Sequence, residues 1–417
     1  MMEKHFDSSR RSMMGMMMGL PFISRPVRFD LESSSTYQVS NFPSKDLFDI
    51  KGTYINAAYF HPISRGSYRA IGAYLNERMV NGHTPHYDMD ETRMDAKNLF
   101  AKLINASPDE IAWMPSTMAG ENSILNGLSI PGSNNKVVTD AYHFNGSLFL
   151  YNELAKKGLD LHVVRPQNNR INLDDLEAAI TPGTKLVAIS LVSAFNGFQH
   201  DLKKVCEIAH AKNVLVFADI IQGAGAIPID VKESGVDFCA CATYKWLMGD
   251  FGAGFLYVRK DKLDLLKRTQ IGYRQEESFI SHVYPFDDPG NVMFESESKK
   301  DATGHFEVGT LANGAIPAIH HSLNYLLNTS VQKIQDYRKP MLDLLQQKLP
   351  SLGFTPLTPL DSTSPIVSFA FKDAADKLKP NLDKAAINIS LYQNRIRISP
   401  SVYNDIDDIH LLIDALA

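Results

Sequence analysis

An aspartate and a lysine stand 26 positions apart in the middle of the chain, each just past a short apolar run. Val214–Ala218 leads into Asp219, and Phe238–Ala242 leads, two residues later, into Lys245. Runs of this length, bounded by glycine, proline and charged residues, read as buried strands, so the carboxylate and the amine arrive at the ends of neighbouring strands. An amine placed there can condense with an aldehyde, and the carboxylate can keep a heterocyclic nitrogen protonated. Those are the two groups that pyridoxal 5'-phosphate (PLP) chemistry requires. A lysine in that position works only if it is partly neutral, which desolvation and nearby charges arrange.

Two further stretches carry groups of the right type. Ser116, Thr117, Met118, Ala119 and Gly120 lie between the strand-like IAWMP and an amphipathic helix pattern. Free backbone N–H groups and the positive dipole end make such a helix start an anion site, although a serine there also serves as an ordinary N-cap. Near the C-terminus, Arg395 and Arg397 alternate in RIRIS and share a strand face. A planar guanidinium suits bidentate capture of a carboxylate, so one of the pair is a candidate anion receptor and the other a structural or solvated residue.

The elements that must position these groups alternate. From Glu110 the order is IAWMP, a helix, KVVTD, a helix from about Asn145, LHVVRP, a helix over Leu173–Ile180 and KLVAISLV. That order predicts an α/β domain with a mostly parallel sheet, whose ligands sit beyond the carboxyl ends of the strands. Upstream, SYRAIGAYLNERM and DETRMDAKNLFAKLI read as helices, and KGTYINAAYFHPIS reads as a short strand and a turn. After Val258 the pattern is helical and then irregular through Pro285–Lys300, a loop suited to shaping an entrance. Long helices over Ala315–Asn328 and Val331–Leu349 precede strands in PIVSFAF and INISLYQNRIRIS. The expected organisation is a leader over 1–30, an N-terminal segment over 31–62, a large PLP-binding α/β domain over 63–315 and a small α+β domain over 316–417.

The stretch ATYKWLMGDFGAGFLYV, with Asp219 and Gln222 upstream and RIRISPSVYND downstream, resembles the class V aminotransferases. These are PLP enzymes of fold type I that include cysteine desulfurases, kynureninases and isopenicillin N epimerases. The resemblance implies a mostly parallel seven-stranded sheet and an internal aldimine on Lys245, with Asp219 on the pyridine nitrogen. It places Gln222 near the cofactor's phenolic oxygen and Ser116, Thr117, Met118 and Thr243 around its phosphate. Tyr142, or its neighbour His143, matches the ring that lies over the pyridine. Thr310, in HFEVGTLANGA, matches an element that reaches the neighbouring subunit's cofactor, which implies a homodimer. Arg397 matches the arginine that grips the substrate carboxylate. The implied activity is on an amino-acid-like amine, by transamination first, with C–S lyase-type elimination or epimerisation as the alternative. Desulfurases need a cysteine on a loop some fifteen residues before that arginine, where this chain has Leu382 and its neighbours, and Ala194 stands where they keep an asparagine, with Asn196 two residues on.

Composition narrows the remaining classes. With 417 residues, 44% hydrophobic and 21% charged, and a net charge of −5 with scattered basic residues, nothing marks a nucleic-acid surface. Cys206, Cys239 and Cys241 are too few for a disulfide framework and read as small core residues. No run of 18 apolar residues predicts a membrane span. Arg10-Arg11 before MMGMMMGLPFI has the order of a twin-arginine leader, so a periplasmic location stands as the alternative to a cytoplasmic one. His83, His86 and Tyr87 share a polar loop, but no carboxylate follows at ligand spacing, so no metal is expected. Gly223-Ala-Gly225 after a strand raises a nicotinamide-dependent oxidoreductase, yet the third glycine is missing and Pro228 intervenes. A non-catalytic scaffold is the remaining alternative.

Overall fold

The structure is a computed structural model that describes residues 41–81, 89–131 and 135–417, which fall in one compact unit, Val39–Ala417. Arg10, Arg11, His83, His86 and Tyr87 lie outside the described residues. The first strand, β1 (Thr53–Tyr54), is followed by helices α1 (Arg65–Asn81) and α2 (Met89–Leu103). The alternating region then folds as expected: β2 (Ile111–Met114), α3 (Thr117–Gly127), β3 (Lys136–Asp140), α4 (Asn145–Ala155), β4 (Asp160–Val164), α5 (Leu173–Ala179), β5 (Thr184–Ser190), α6 (Leu202–Ala211) and β6 (Leu215–Asp219). A short α7 (Val231–Ser234), β7 (Phe238–Ala242) and β8 (Gly254–Val258) complete a seven-stranded sheet in the order β2-β8-β7-β6-β5-β3-β4. Every neighbouring pair is parallel except the two that involve β8.

Both faces of this sheet are covered, and that explains its composition. A strand buried on both sides reads as a continuous apolar run rather than an alternating one. Along β6 and β7, Val216, Ala218, Cys239 and Cys241 pack into one core cluster, while Phe217, Phe238 and Ala240 pack into another, as the two-residue period requires. The three cysteines are buried and unpaired, and burial raises each thiol's pKa, so they behave as small core residues. The covering helices bury one stripe: in α6 the buried residues are Leu202, Val205, Cys206 and Ala209, and the Asp201 carboxylate caps the first turn through Lys204 N–H at 3.1 Å.

Beyond β8 the chain departs from expectation. Lys260–Leu265 is a 3-10 turn, and the segment expected to be irregular contributes a strand, β10 (Phe294–Ser298), paired antiparallel with β9 (Glu276–Ser281). Neither strand has a buried face, so the pattern FESES carried no hydrophobic alternation to read. After α8 (Ala302–Phe306), helix α9 (Ile316–Thr329) packs on α1 and α2 and contributes Ile316, Ile319, Leu323 and Leu326 to the large sheet's core. Helix α10 (Val331–Lys348) leads to a four-stranded antiparallel sheet ordered β11 (Thr355–Pro356), β12 (Val367–Ala370), β15 (Arg395–Ile398), β14 (Ser390–Tyr392). Helices α11 (Ala374–Lys384) and α12 (Ile406–Leu416) pack on it around a separate core. Strand β1 pairs in parallel with β13 (Ile387–Asn388) in a separate two-stranded sheet, which pins the N-terminal segment to the chain just after α11. No helix among the described residues is long and apolar enough to cross a membrane.

Gly223 and Gly225 do not open a helix, as a dinucleotide site would need. Gly225 adopts φ +88°, and a Cβ there would lie 2.4 Å from the carbonyl oxygen of Trp246, the residue after Lys245. The glycine therefore allows the Lys245 turn to close against it. Gly225→Ala should cost at least about 2 kcal/mol through strain and collision. A calorimetric melting temperature equal to the parent's would contradict this packing.

Candidate active site

The strand ends bring the expected groups together. Asp219 ends β6 opposite Ala240 of β7, and Lys245 follows the end of β7 by three residues. The turn that presents Lys245 is closed by hydrogen bonds from Met248 N–H to the Lys245 carbonyl (2.8 Å) and from Gly249 N–H to the Thr243 carbonyl (2.9 Å). The Thr243 hydroxyl donates to the Asp250 carbonyl (2.6 Å) and so braces the loop, and Thr243 is not on the cavity wall. Trp246, fully buried, donates its indole N–H to the Gln222 amide oxygen (2.8 Å), and the Gln222 amide donates to the Ala58 carbonyl (3.0 Å). Gln222 thus braces the floor of the site, and its amide is not on the cavity wall where a phenolic oxygen would be met.

Lys245 opens onto a cavity of about 660 Å³ whose wall also carries His143, Ala194, Arg395 and Arg397. Asp219 is buried outside that wall; one of its carboxylate oxygens accepts the Ile221 N–H at 2.9 Å. Burial pushes the Lys245 ammonium down to about 8, against the opposing pull of Asp219. Burial raises the Asp219 carboxyl, opposed by His143, the Ile221 N–H and Lys245. The two groups act on each other's charge, as a shared site requires.

Of the two neighbouring rings after β3, His143 and not Tyr142 is on the cavity wall. Tyr142 packs against Phe195 and Phe198, at 5.8 and 6.1 Å between centroids. After the strand ends the two-residue alternation no longer applies, which is why the sequence pattern could not choose between the neighbours. Both His143 nitrogens are engaged, Nδ1 with the Ser190 hydroxyl (2.8 Å) and Nε2 with the Glu121 carboxylate (3.2 Å). Glu121, absent from the sequence reading, is buried and also accepts from the Ser147 hydroxyl (2.6 Å) and the Tyr151 hydroxyl (2.8 Å). Burial would raise its pKa, but His143 and these hydroxyls hold it below the usual carboxylate value. Burial would lower His143, and Glu121 reverses that, so the net shift is upward. With both nitrogens occupied, the imidazole has its ring, not a free nitrogen, to offer the cavity.

The start of α3 lies against the end of β7. Ser116 Oγ accepts the Ala119 N–H (3.1 Å), and Thr117 Oγ1 accepts the Ala242 N–H (2.9 Å). The Ser147 hydroxyl, at the start of α4, lies 3.6 Å from Met118 Sδ. The first-turn N–H groups of Thr117 and Met118 precede the intrahelical ladder. None of Ser116, Thr117 and Met118 is on the cavity wall. Thr310 is exposed, with its hydroxyl 3.4 Å from that of Tyr273, and is also away from this chain's cavity.

Arg397 comes from the small sheet. Its guanidinium donates to the Ala194 carbonyl (3.0 Å) and to the Ser390 hydroxyl (3.0 Å), and Ser390 in turn donates to Asn56 (2.6 Å). Its Nε is buried without a hydrogen-bond partner among the described residues, and burial lowers its pKa. Arg395 donates to the Phe195 carbonyl and lies over the rings of Tyr392 (3.8 Å) and Phe195 (4.3 Å). Asn196 is engaged with backbone groups of Asn169, Leu357 and Phe198, so it offers nothing to the cavity. Leu382 is buried within helix α11. A second cavity, of about 390 Å³ on Arg170, His200, Asp361 and Thr363, is lined by none of the candidate catalytic, cofactor-binding or substrate-binding residues.

The residues present fit PLP. A buried amine with a lowered pKa opens on a space large enough for the cofactor, and the buried Asp219 carboxylate influences it. The model of the Aminotransferase class-V family matches residues 68–412. An uncharacterized aminotransferase of Bacillus subtilis, YcbU, is 28% identical over 376 residues, covering 90% of this chain and 95% of that protein. A probable cysteine desulfurase of Methanothermobacter thermautotrophicus is 27% identical over 304 residues, 72% of each chain. Among solved structures, the cysteine desulfurase CsdA of Escherichia coli superposes with a TM-score of 0.78 at 19% identity, covering 90% of this chain and 98% of that one. The cystine C-S lyase C-DES gives 0.77 at 19%, over 88% and 97%. At that identity the two structures establish the fold type I architecture. The family match extends from α1 to α12 and includes the buried lysine and aspartate, and it makes this chain a member of the class V aminotransferase family, a PLP-dependent enzyme.

Proposed function

We propose that the enzyme acts on a small amino-acid-like amine, with Lys245 as the residue that carries PLP and transamination as the outcome. The observation that carries this reading is the placement of one buried amine, Lys245, and one buried guanidinium, Arg397, on the wall of the same cavity. An amine exchanger and a carboxylate receptor are what an α-amino acid needs. When bound, PLP supplies an electron sink for charge developing at the substrate's α-carbon.

The chain's residues do the rest. Lys245 Nζ, neutral in part near pH 8, would hold the cofactor and, as a free amine, would accept the substrate's α-proton and deliver it away from the α-carbon, as transamination requires. Asp219 holds negative charge behind the site so that a ring nitrogen stays protonated. His143 offers a ring to stack, and Glu121 fixes its orientation. The first-turn N–H groups of Thr117 and Met118, packed against the end of β7 behind the cavity wall, would be the donors for a phosphate, with Ser116 capping the turn. Arg397, oriented by Ser390 and Asn56, receives the carboxylate.

Relatives named desulfurase favour a second reading, elimination at a C–S bond, and epimerisation shares the same proton abstraction. Desulfuration through a protein persulfide has no support, because no cysteine follows Cys241 and all three thiols are buried. A homodimer fits the exposed β9–β10 hairpin, whose Phe279, Ile280 and Phe294 are half exposed, and the outward Thr310. Light scattering showing a monomer would contradict it. Three unpaired thiols favour the cytoplasm over export on Arg10-Arg11, which cell fractionation decides.

The holoenzyme incubated with amino acids and a keto-acid acceptor should convert the first to its keto acid and aminate the second in equal amounts. Ammonia release matching keto-acid formation, with no amination of the acceptor, would replace transamination by elimination. Loading of the apo-enzyme with PLP should accelerate roughly tenfold per pH unit and level off near pH 8, because only the neutral amine attacks. A plateau reached only above pH 10, where a solvated lysine titrates, would contradict the burial of Lys245.

A further inference from the structure

The cavity above Lys245 is walled by rings. On one side Tyr59, Phe60, Phe251 and Tyr244 form a chain with centroid spacings of 5.3, 6.4 and 4.4 Å. On the other, Phe195 lies on the cavity wall beside Tyr392, with the Arg395 guanidinium over both rings at 4.3 and 3.8 Å. The Lys245 amine is 5.8 Å from the Tyr244 centroid, so the first bank begins beside the reactive nitrogen. Phe195 begins the other bank one residue after Ala194, whose carbonyl holds Arg397. A ligand that places its amine at Lys245 and its carboxylate on Arg397 therefore has a bank of rings on either side of what extends beyond the α-carbon.

These rings are not satisfied within the chain. Phe195 is 45% exposed and Phe251 60% exposed, and both face the same cavity, so apolar ring surface is left for a ligand to cover. Among the described residues no carboxylate is on the wall, so a cationic side chain would find no partner there. Arg395, the second cation, is already engaged with the Phe195 carbonyl and two rings, which makes it the spacer that holds one bank upright rather than a free fork for an acidic side chain.

We propose that the substrate is an amino acid with an aromatic side chain, which inserts between the Phe195 and Phe251 banks while its carboxylate rests on Arg397. This rests on the reading of Lys245 and Arg397 given above. A planar side chain gains offset or edge contacts with both banks and completes a stack that is open in the free enzyme.

Absorbance titration of the holoenzyme with phenylalanine, tryptophan, alanine, aspartate and cysteine tests it. Phenylalanine and tryptophan should bind at least about tenfold more tightly than alanine or aspartate, from burial of the ring. Phe195→Ala and Phe251→Ala, both at half-exposed positions, should each weaken phenylalanine binding about 3- to 10-fold and leave alanine within about twofold, with Phe251→Tyr restoring the parent value. Aspartate, alanine or cysteine binding as tightly as phenylalanine, or both alanine variants leaving phenylalanine unchanged, overturns the inference while Lys245 still carries the cofactor. PLP that fails to attach to Lys245 overturns the underlying reading instead, and a panel that leaves an attached cofactor's spectrum unmoved overturns this one.

Discussion

Taking a lysine amine out of water beside an aspartate is the constraint on which the rest of this molecule depends. Burial costs the ammonium its solvation, and the neutral form gains in proportion, while Asp219 limits how far that goes. The balance leaves an amine that is nucleophilic near physiological pH and a carboxylate held close without direct capture of the proton. Neither condition survives if the strand ends separate. The parallel core of β5, β6 and β7, buried on both faces, and the Gly225 contact under Trp246 are therefore part of the chemistry as much as of the fold.

Around that pair the protein uses side chains as props. Gln222 ties Trp246 to Ala58, and Arg338, buried on α10, places its guanidinium 5.3 Å over the Trp246 ring while donating to the Ala226 carbonyl (2.7 Å). Burial lowers Arg338 to about 9, the sign of a cation kept inside without a carboxylate partner among the described residues. Glu121 plays the matching part on the other side, where a single buried carboxylate collects His143, Ser147 and Tyr151. The Glu121 network, with its carboxylate shared among His143, Ser147 and Tyr151, holds one geometry, because each alternative leaves a buried polar group unpaired.

The sequence was most legible where one physical rule acted alone. Continuous apolar runs located β6 and β7, and with them Asp219 and Lys245, because a strand covered on both faces has no polar side to confuse the pattern. Arg395 and Arg397 were correctly placed on a strand, and their division of labour, one engaged by rings and one turned to the site, needed the fold. Tyr142 against His143 was undecidable once the strand had ended. The hydrogen bonds of Gln222 to Trp246 and Ala58 cross 24 and 164 residues of sequence, which no local pattern encodes. Glu121 left no local signal, since a glutamate in an amphipathic helix ordinarily faces water. The β9–β10 hairpin was missed because neither strand alternates apolar with polar residues: Phe279 and Ile280 are adjacent in β9, and Phe294 is the one apolar residue of β10.

The central claim is that Lys245, and no other amine in the chain, holds the cofactor. Reducing the PLP-loaded protein with borohydride and mapping the modified peptide by mass spectrometry tests it directly. The account predicts a single phosphopyridoxyl group on Lys245, lost in Lys245→Ala. Modification at another lysine, or an unchanged extent of labelling in Lys245→Ala, would contradict it.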